Sequence, residues 1–301
     1  MASDLLPGFT RQSIETSDGA SIFVRTKIDS GKPPLLLLHG FPQTHVEFHR
    51  MIPSMLPHFS IILLDLRGYG QSAIVPSTNG SGYSKRLMAQ DCISVMSQLG
   101  YNKFLLAGHD RGARVAYRLA FDHPEAVSKV VVIDVIPTAA MYQGFGDLTA
   151  GLKAYHWLFL AQPDPFPETM IQGTDNGKHF LDHTLASWTR KKTLDDFDER
   201  ALEEYRNAYC NKTRIHSTCE DYRAGAFLDR AYDEKDLKTE IRYRRRCWRF
   251  GATRDCLPSL CEISQKGPLK SGRSMSKMFV VKPWSADISS LKRIRRVQLK
   301  H

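Results

Sequence analysis

The sequence predicts an α/β fold, with a doubly wound and mostly parallel central sheet and a helical cap domain. Short, continuous apolar runs alternate with amphipathic segments, as in parallel sheets covered on both faces by helices. One of these runs passes directly into a helical pattern through the glycine-flanked turn "GHDRGAR". After residue 137 the strand pattern stops, and aromatic helical segments such as "LKAYHWLFLAQ" replace it. This order predicts helices that cover one edge of the sheet.

The predicted elements begin with a hairpin. Two β-rich segments between residues 10 and 28 flank "SDGAS", in which Asp-Gly is a strong turn signal. The predicted buried strands that follow are "PLLLLH" (34–39), "SIILLD" (60–65), "FLLAGH" (104–109) and "KVVVID" (129–134). The predicted helices between them are 45–56, 84–99 and 111–122.

Four polar residues, His39, Asp65, Asp110 and Asp134, stand at the carboxyl ends of the predicted strands. In open parallel sheets, ligands bind beyond these ends. Each residue alone is compatible with a structural turn, but the repetition favours a common site.

Basic and acidic residues are unevenly distributed along the chain. Residues 241–301 carry 16 of the 42 Lys and Arg but only 3 of the 32 Asp and Glu, so the preceding residues are slightly acidic. We therefore predict an α/β core at 1–137, a helical cap at 138–235, and a divergent basic tail at 236–301. The tail stands where the last strands and helix of such a core are expected, so the core is predicted to be incomplete there.

Composition favours a cytoplasmic protein. No basic, apolar leader opens the sequence, and the apolar runs are too short to cross a bilayer. The six cysteines show neither a disulfide framework nor the spacing of a zinc site. We expect no membrane partner and no metal.

The turn "GHDRG" carries Asp110 where an α/β-hydrolase displays its nucleophile, usually a serine. A carboxylate can displace a leaving group from an sp3 carbon and form an ester, which water must then cleave with the help of a base. Backbone N–H groups of "HGFP", including that of Phe41, can stabilise developing negative charge. The alternative is that Asp110 only caps the following helix.

Arg111 and Arg114 follow the predicted nucleophile on one helix. Guanidinium groups suit the capture of a small carboxylate, so the pair favours an anionic substrate. The alternative is that one or both are exposed helix arginines.

Six separated segments, spread over residues 8–240, resemble the haloacetate dehalogenases, the fluoroacetate dehalogenase type among the α/β-hydrolases. The segments are "HGFPQTH", "DLRGYGQS", "GHDRGAR", "VIDVIPT", "AYHWLFLAQPDPFPE" and "CEDYRAGAFLD". The resemblance implies an α/β-hydrolase fold and no cofactor.

The resemblance also implies a role for each matching residue. Asp110 would be the nucleophile, Asp134 the acid that orients a histidine base, and Arg111 with Arg114 the carboxylate clamp. The implied halide pocket consists of His156, Trp157 and Tyr222. Read from the residues alone, "YHW" on an apolar helix is also compatible with core packing.

The histidine base of the family has no match in this chain. The family places it near the C-terminus, but the sequence has no histidine between residues 217 and 300, and His301 lacks the expected Gly-His context. The segment "IRYRRRCWRFGATRDCLPSLCEISQKGPLKSG" also offers no apolar strand. One hypothesis is a shifted reading frame or a retained intron. The others are a basic tail that binds nucleic acid or an acidic membrane surface, and a solvated tail without a partner, which is favoured over a binding surface.

The favoured function is dehalogenation of a small 2-halocarboxylate, with turnover impaired by the missing base. An epoxide hydrolase is the enzymatic alternative, with Tyr142, Tyr155, Tyr209 and Tyr222 available to bind the epoxide oxygen. A non-catalytic relative is the third hypothesis. The expected partner is a small anionic substrate rather than nucleic acid, and a homodimer stays open.

Overall fold

The computed structural model describes residues 4–173 and 175–238, and the backbone of two strands at 247–250 and 277–281. The strands form one sheet with the order β1-β2-β4-β3-β5-β6-β8-β7. In chain order they are β1 (Thr10–Glu15), β2 (Ser21–Lys27), β3 (Pro34–Leu38), β4 (Ser60–Leu64), β5 (Phe104–His109), β6 (Val127–Ile133), β7 (Cys247–Phe250) and β8 (Lys277–Val281).

The sheet confirms the predicted fold class. β1 and β2 form the predicted hairpin and join the rest of the sheet through the antiparallel pair β2–β4, whereas β3 pairs in parallel with both β4 and β5. The apolar runs of β3 and β4 are almost fully buried because helices cover both faces of the sheet. Parallel pairing brings the carboxyl ends of β3, β5 and β6 to one edge.

Two helices pack against this sheet beside the site. They are α2 (Lys85–Gln98) and α3 (Asp110–Asp122), and both agree closely with the sequence prediction.

The predicted continuous helix over 45–56 is wrong. The structure has a 3₁₀ turn at His45–Phe48 and a separate short helix, α1 (Ile52–Met55). Pro53 lies in the first turn of α1, and it cannot donate the backbone hydrogen bond that a continuous helix would need there.

The chain between residues 138 and 238 is helical, as predicted. Its helices are α4 (Thr138–Gly144), α5 (Leu148–Lys153), α6 (Tyr155–Leu160), α7 (Phe166–Gln172), α8 (Lys178–Trp188), α9 (Glu199–Tyr209), α10 (Lys212–Ala224) and α11 (Arg230–Lys238), with a π-helical turn at Gly225–Asp229. Within the described residues, none of the helices has the length and apolar character needed to cross a bilayer.

The C-terminal segment contains two strands, although no strand was predicted in "IRYRRRCWRFGATRDCLPSLCEISQKGPLKSG". β8 pairs in parallel with β6, and β7 pairs in parallel with β8 as the last strand on that side of the sheet. β8 is the run "KMFVV", which follows the segment that lacked an apolar pattern. His301 and most of the predicted basic tail lie outside the described residues.

Candidate active site

Asp110 occupies a strained turn between β5 and α3. Its φ is 45°, in the left-handed region that Asp tolerates better than most residues. Gly108 and Gly112 permit this turn: a Cβ on Gly108 would lie 2.4 Å from the carbonyl oxygen of Gly112, and one on Gly112 would lie 2.3 Å from that of Leu38. The turn is therefore held between backbone segments that leave no room for side chains, and it presents the Asp110 carboxylate at the edge of the sheet.

The loop after β3 contacts the Asp110 carboxylate directly. The backbone N–H of Phe41 donates to Oδ1 of Asp110 at 3.0 Å. A backbone donor of "HGFP" therefore lies beside the candidate nucleophile. A donor in this position can orient the carboxylate before attack and stabilise charge on it.

Arg111 is completely buried and its guanidinium is already partly used. Its Nε donates to Oδ2 of Asp221 at 2.8 Å, and one terminal nitrogen donates to Oδ1 at 2.8 Å and to the Asp221 carbonyl at 2.7 Å. Within the described residues the other terminal nitrogen, Nη1, has no hydrogen-bond partner. Arg111 can therefore offer one nitrogen to a ligand.

Asp221 is the centre of a buried network of charges and hydroxyls. It accepts hydrogen bonds from Lys85 and from the Tyr69 hydroxyl, the latter at 2.7 Å, in addition to Arg111. Burial alone would raise the pKa of Asp221, but Arg111 and Lys85 hold it well below its ordinary value. Lys85 also lies 3.9 Å from Asp229, whose pKa burial raises to about 6. The network joins α2, α3 and α10 around Arg111.

Arg114 is buried too, but its partners are neutral. Its Nη1 donates to the Ile136 carbonyl at 3.0 Å and to the Thr138 hydroxyl at 3.1 Å, while Nε has no partner within the described residues. No carboxylate of that part of the chain lies within ion-pair distance of Arg114. Burial lowers the pKa of this guanidinium. Neither arginine is an exposed helix residue, so that alternative is wrong.

Aromatic rings surround the two arginines. The Arg111 guanidinium carbon lies 4.2 Å from the centre of the Tyr222 ring, and that of Arg114 lies 4.2 Å from the Trp157 ring. The rings of Trp157 and Tyr222 are 5.5 Å apart. Such contacts favour cations that are removed from water.

His156 and Tyr222 lie on the Phe41 side of the pocket. The Phe41 ring centre is 6.3 Å from that of His156 and 5.3 Å from that of Tyr222. Burial lowers the pKa of His156 to about 4, so its ring is neutral near pH 7 and one ring nitrogen carries hydrogen. The enclosed Tyr222 hydroxyl has no partner within the described residues. These groups are donors in an apolar wall, which suits a halide ion.

Asp134 follows β6 with a φ of 55°, at the same edge as Asp110. Desolvation raises its pKa, and Asp110 adds to this, while His109 and Arg114 act in the opposite direction. Asp134 is exposed, so water screens these influences.

His109 is the described histidine that shares this edge with the two acids. Its Nδ1 lies 2.8 Å from Oε1 of Glu47. Burial lowers its pKa, but Glu47, Asp110 and Asp134 outweigh burial and raise it to about 9. His109 is therefore protonated near pH 7 and cannot accept a proton from water.

His39 and Asp65 do not join this site, although the sequence grouped them with it. The fully buried Asp65 accepts from the backbone N–H of His45 and of Gln71, both at 2.8 Å, and its pKa is lowered to about 2 because His45 and His39 outweigh desolvation. His39 accepts from the Leu66 backbone N–H at 3.0 Å. Both side chains hold the loops beneath the pocket.

Sequence reasoning missed Asp221, Lys85 and Glu47. Asp221 stood in the quoted segment "CEDYRAGAFLD", beside Tyr222, but no feature of that segment identifies its partner. The structure supplies the missing information: Asp221 and Glu220 are buried along α10, and a buried acid requires a cation or donors.

Comparisons with known proteins agree with this geometry. Residues 33–227 match the model of the alpha/beta hydrolase fold family. A fluoroacetate dehalogenase from Burkholderia sp. is 38% identical over 239 residues, which are 79% of this chain and 76% of the relative. A soluble epoxide hydrolase from Corynebacterium sp. (strain C12) is 31% identical over 192 residues, or 64% and 65% of the two chains.

Among solved structures, a provisionally named epoxide hydrolase from Pseudomonas aeruginosa is 33% identical, with a TM-score of 0.77. The match covers 97% of this chain and 96% of that one. This protein therefore belongs to the α/β-hydrolase fold family, and it is similar both to a fluoroacetate dehalogenase and to epoxide hydrolases.

Proposed function

We propose that this hydrolase attacks a small 2-halocarboxylate with Asp110. The observation that carries the proposal is Arg114, a buried guanidinium that hydrogen-bonds only neutral groups and makes no close ion pair within the described residues, although Asp110 and Asp134 act on it from a longer distance. A buried charge without a partner is costly, and a bound anion removes that cost. Nη1 of Arg111 supplies a further N–H donor. A substrate carboxylate is an anion that these donors can bind.

The first chemical step follows from the position of Asp110. A carboxylate oxygen forms a bond to the carbon that carries the halogen, and the carbon–halogen bond breaks with its electron pair leaving as halide. No proton moves in this step. The Phe41 N–H orients the nucleophile, while His156, Trp157 and Tyr222 supply the wall in which the halide forms.

The second step is cleavage of the ester by water, and it requires a base. His109 is protonated and paired with Glu47, and the lowered pKa of His156 makes it a weak base. The resemblance to the family calls for a C-terminal histidine, which residues 217–300 do not contain. We therefore propose that alkylation of Asp110 is much faster than hydrolysis of the resulting ester.

The test is to measure halide released per mole of protein from fluoroacetate and chloroacetate, followed by the intact mass of the protein. We expect at most one equivalent of halide and a carboxymethyl adduct that maps to Asp110. Asp110→Asn, which can keep the hydrogen bond from Phe41, is the matched control and should show neither. Many equivalents would establish full turnover. No halide and no adduct would favour a non-catalytic relative.

An epoxide hydrolase remains the second candidate, because three enclosed tyrosine hydroxyls, those of Tyr142, Tyr209 and Tyr222, have no partner within the described residues. Paired tyrosines can donate to the oxygen of an opening epoxide ring. A neutral epoxide, however, leaves Arg114 without a counter-ion. Parallel incubation with chloroacetate and styrene oxide separates the two functions: alkylation by styrene oxide alone would favour the epoxide hydrolase.

A further inference from the structure

Tyr142 is a half-buried residue of α4, the first helix after Asp134. Its ring makes an edge contact with the Trp157 ring at 5.6 Å, at an angle of 76°. The guanidinium carbons of Arg114 and Arg111 lie 4.2 Å and 5.3 Å from the centre of the same Trp157 ring. Tyr142 therefore stands with the two arginines around one aromatic side chain.

The Tyr142 hydroxyl and Nη1 of Arg111 lie close to one point. A Cβ built on Gly225 would be 3.7 Å from the Tyr142 hydroxyl and 3.6 Å from Arg111 Nη1. Both atoms are enclosed, and neither has a hydrogen-bond partner within the described residues. Enclosed donors of this kind are normally satisfied, so two of them beside one glycine indicate a place for a shared acceptor.

The charge around Tyr142 identifies the kind of acceptor. Burial raises the pKa of Tyr142 to about 12, Arg111 and Arg114 act in the opposite direction, and Asp229 and Asp221 add to the increase, so the hydroxyl keeps its hydrogen near pH 7. It can then donate to an anion without adding charge of its own. The Tyr222 hydroxyl differs because, after burial, Asp110 is the largest influence on its pKa and raises it.

We propose that Tyr142 donates a hydrogen bond to the substrate carboxylate, together with Arg111 Nη1 and Arg114, and so selects carboxylates over neutral analogues of the same size. This inference rests on the proposed function, and it adds a specificity-determining residue to it. Gly225 forms the floor of this carboxylate site, where the absence of a side chain leaves both donors accessible.

The first test compares Tyr142→Phe with the wild-type protein in alkylation by chloroacetate and by chloroacetamide, followed by intact mass. Because hydrogen bonds to charged groups are stronger than neutral ones, we expect the rate with chloroacetate to fall about tenfold or more. The rate with chloroacetamide should stay within about twofold, since the amide lacks the charge that makes this bond strong. Tyr101→Phe, at the opposite edge of the sheet, is the matched control and should change neither rate.

Gly225→Ala is an independent test that leaves Tyr142 in place. Gly225 has helical angles (φ −57°, ψ −48°), and the added methyl would meet its neighbours at ordinary contact distance. Alanine is a better helix former than glycine. A lower rate with chloroacetate would therefore reflect blocked donors and not a damaged fold, and we expect a decrease at least as large as that of Tyr142→Phe.

Fluoroacetate binding, followed by broadening of its ¹⁹F resonance, separates this proposal from the proposed function. If wild-type protein binds fluoroacetate without forming an adduct, the proposed chemistry fails, while weaker binding by Tyr142→Phe still supports the carboxylate site. Equal binding and equal rates in Tyr142→Phe, or equal losses with both chloro compounds, would overturn the role of Tyr142. No binding by the wild-type protein would overturn both.

Discussion

Asp221 binds Arg111 through both carboxylate oxygens and its carbonyl oxygen, whereas Arg114, one helical turn beyond Asp110, has no carboxylate of the described chain to pair with. The two arginines therefore differ in role. Arg111 is held in place by the protein, and Arg114 carries the charge that a ligand can neutralise.

We expect Asp221→Asn to destabilise the protein by about 3–5 kcal/mol, because it leaves Arg111 and Lys85 buried without their shared anion. The matched control is Asp182→Asn, which breaks the half-exposed pair with Arg206 and should cost at most about 1 kcal/mol. Urea unfolding followed by circular dichroism measures both. A loss no larger than that of the control would mean that Asp221 does not anchor this network.

Arg114→Met should cost at most about 1 kcal/mol without substrate, since it removes an unpaired buried charge along with two hydrogen bonds to neutral groups. Arg118→Met on the same helix should cost about 3–5 kcal/mol, because Arg118 pairs with Asp233 at 2.8 Å and with Asp236 at 2.7 Å. Differential scanning calorimetry compares the two. A larger loss for Arg114→Met would show that the protein itself satisfies this cation.

The turn that carries Asp110 predicts a steric effect. Gly112→Ala places a methyl 2.3 Å from the Leu38 carbonyl oxygen, so β3 and α3 must separate, and we expect a loss of about 3 kcal/mol or more. Gly144→Ala, where nothing lies within 4 Å, should stay within about 1 kcal/mol of the wild type. Similar urea midpoints for the two variants would contradict this account.

The His109–Glu47 pair predicts loss of stability in alkali. The pKa of His109 is raised from 6.5 to about 9 in the folded protein, so its contribution is complete below pH 6.5 and disappears as the pH rises through 9. The shift corresponds to at most about 3 kcal/mol, reduced because part of the side chain is exposed.

The measurement is the urea midpoint at pH 6.5 and at pH 9.5. Glu47→Gln should flatten the decrease, since it removes the anion that raises the pKa. Glu125→Gln, next to His123 in an exposed pair, should leave the decrease unchanged. A steep decrease that persists in Glu47→Gln would assign the pH dependence to other groups.

The sheet and the Asp110 turn could be predicted because their signals are local. A short apolar run such as "PLLLL" indicates a buried strand, and the glycines around Asp110 indicate a tight turn, each within a few residues. The prediction of a continuous helix over 45–56 was wrong because Pro53 lacks the backbone N–H that such a helix needs at this position.

The partner of Arg111 could not be predicted, because 110 positions separate it from Asp221 in the chain. Only the tertiary fold, which places α10 beside the start of α3, brings them together. The grouping of His39 and Asp65 with the site failed for a related reason: their position at strand ends was correct, but neighbouring backbone N–H groups already occupy both side chains.

The bond between Arg111 and Asp221 also limits how this protein can be recombined with its relatives. Arg111 belongs to the sheet region, and Asp221 belongs to a helix more than a hundred residues later. In a chimera, residues 138–238 would come from another family member, and Arg111 would be buried against the residue that this relative carries in place of Asp221. Only a relative with an acid at that position is compatible with this sheet.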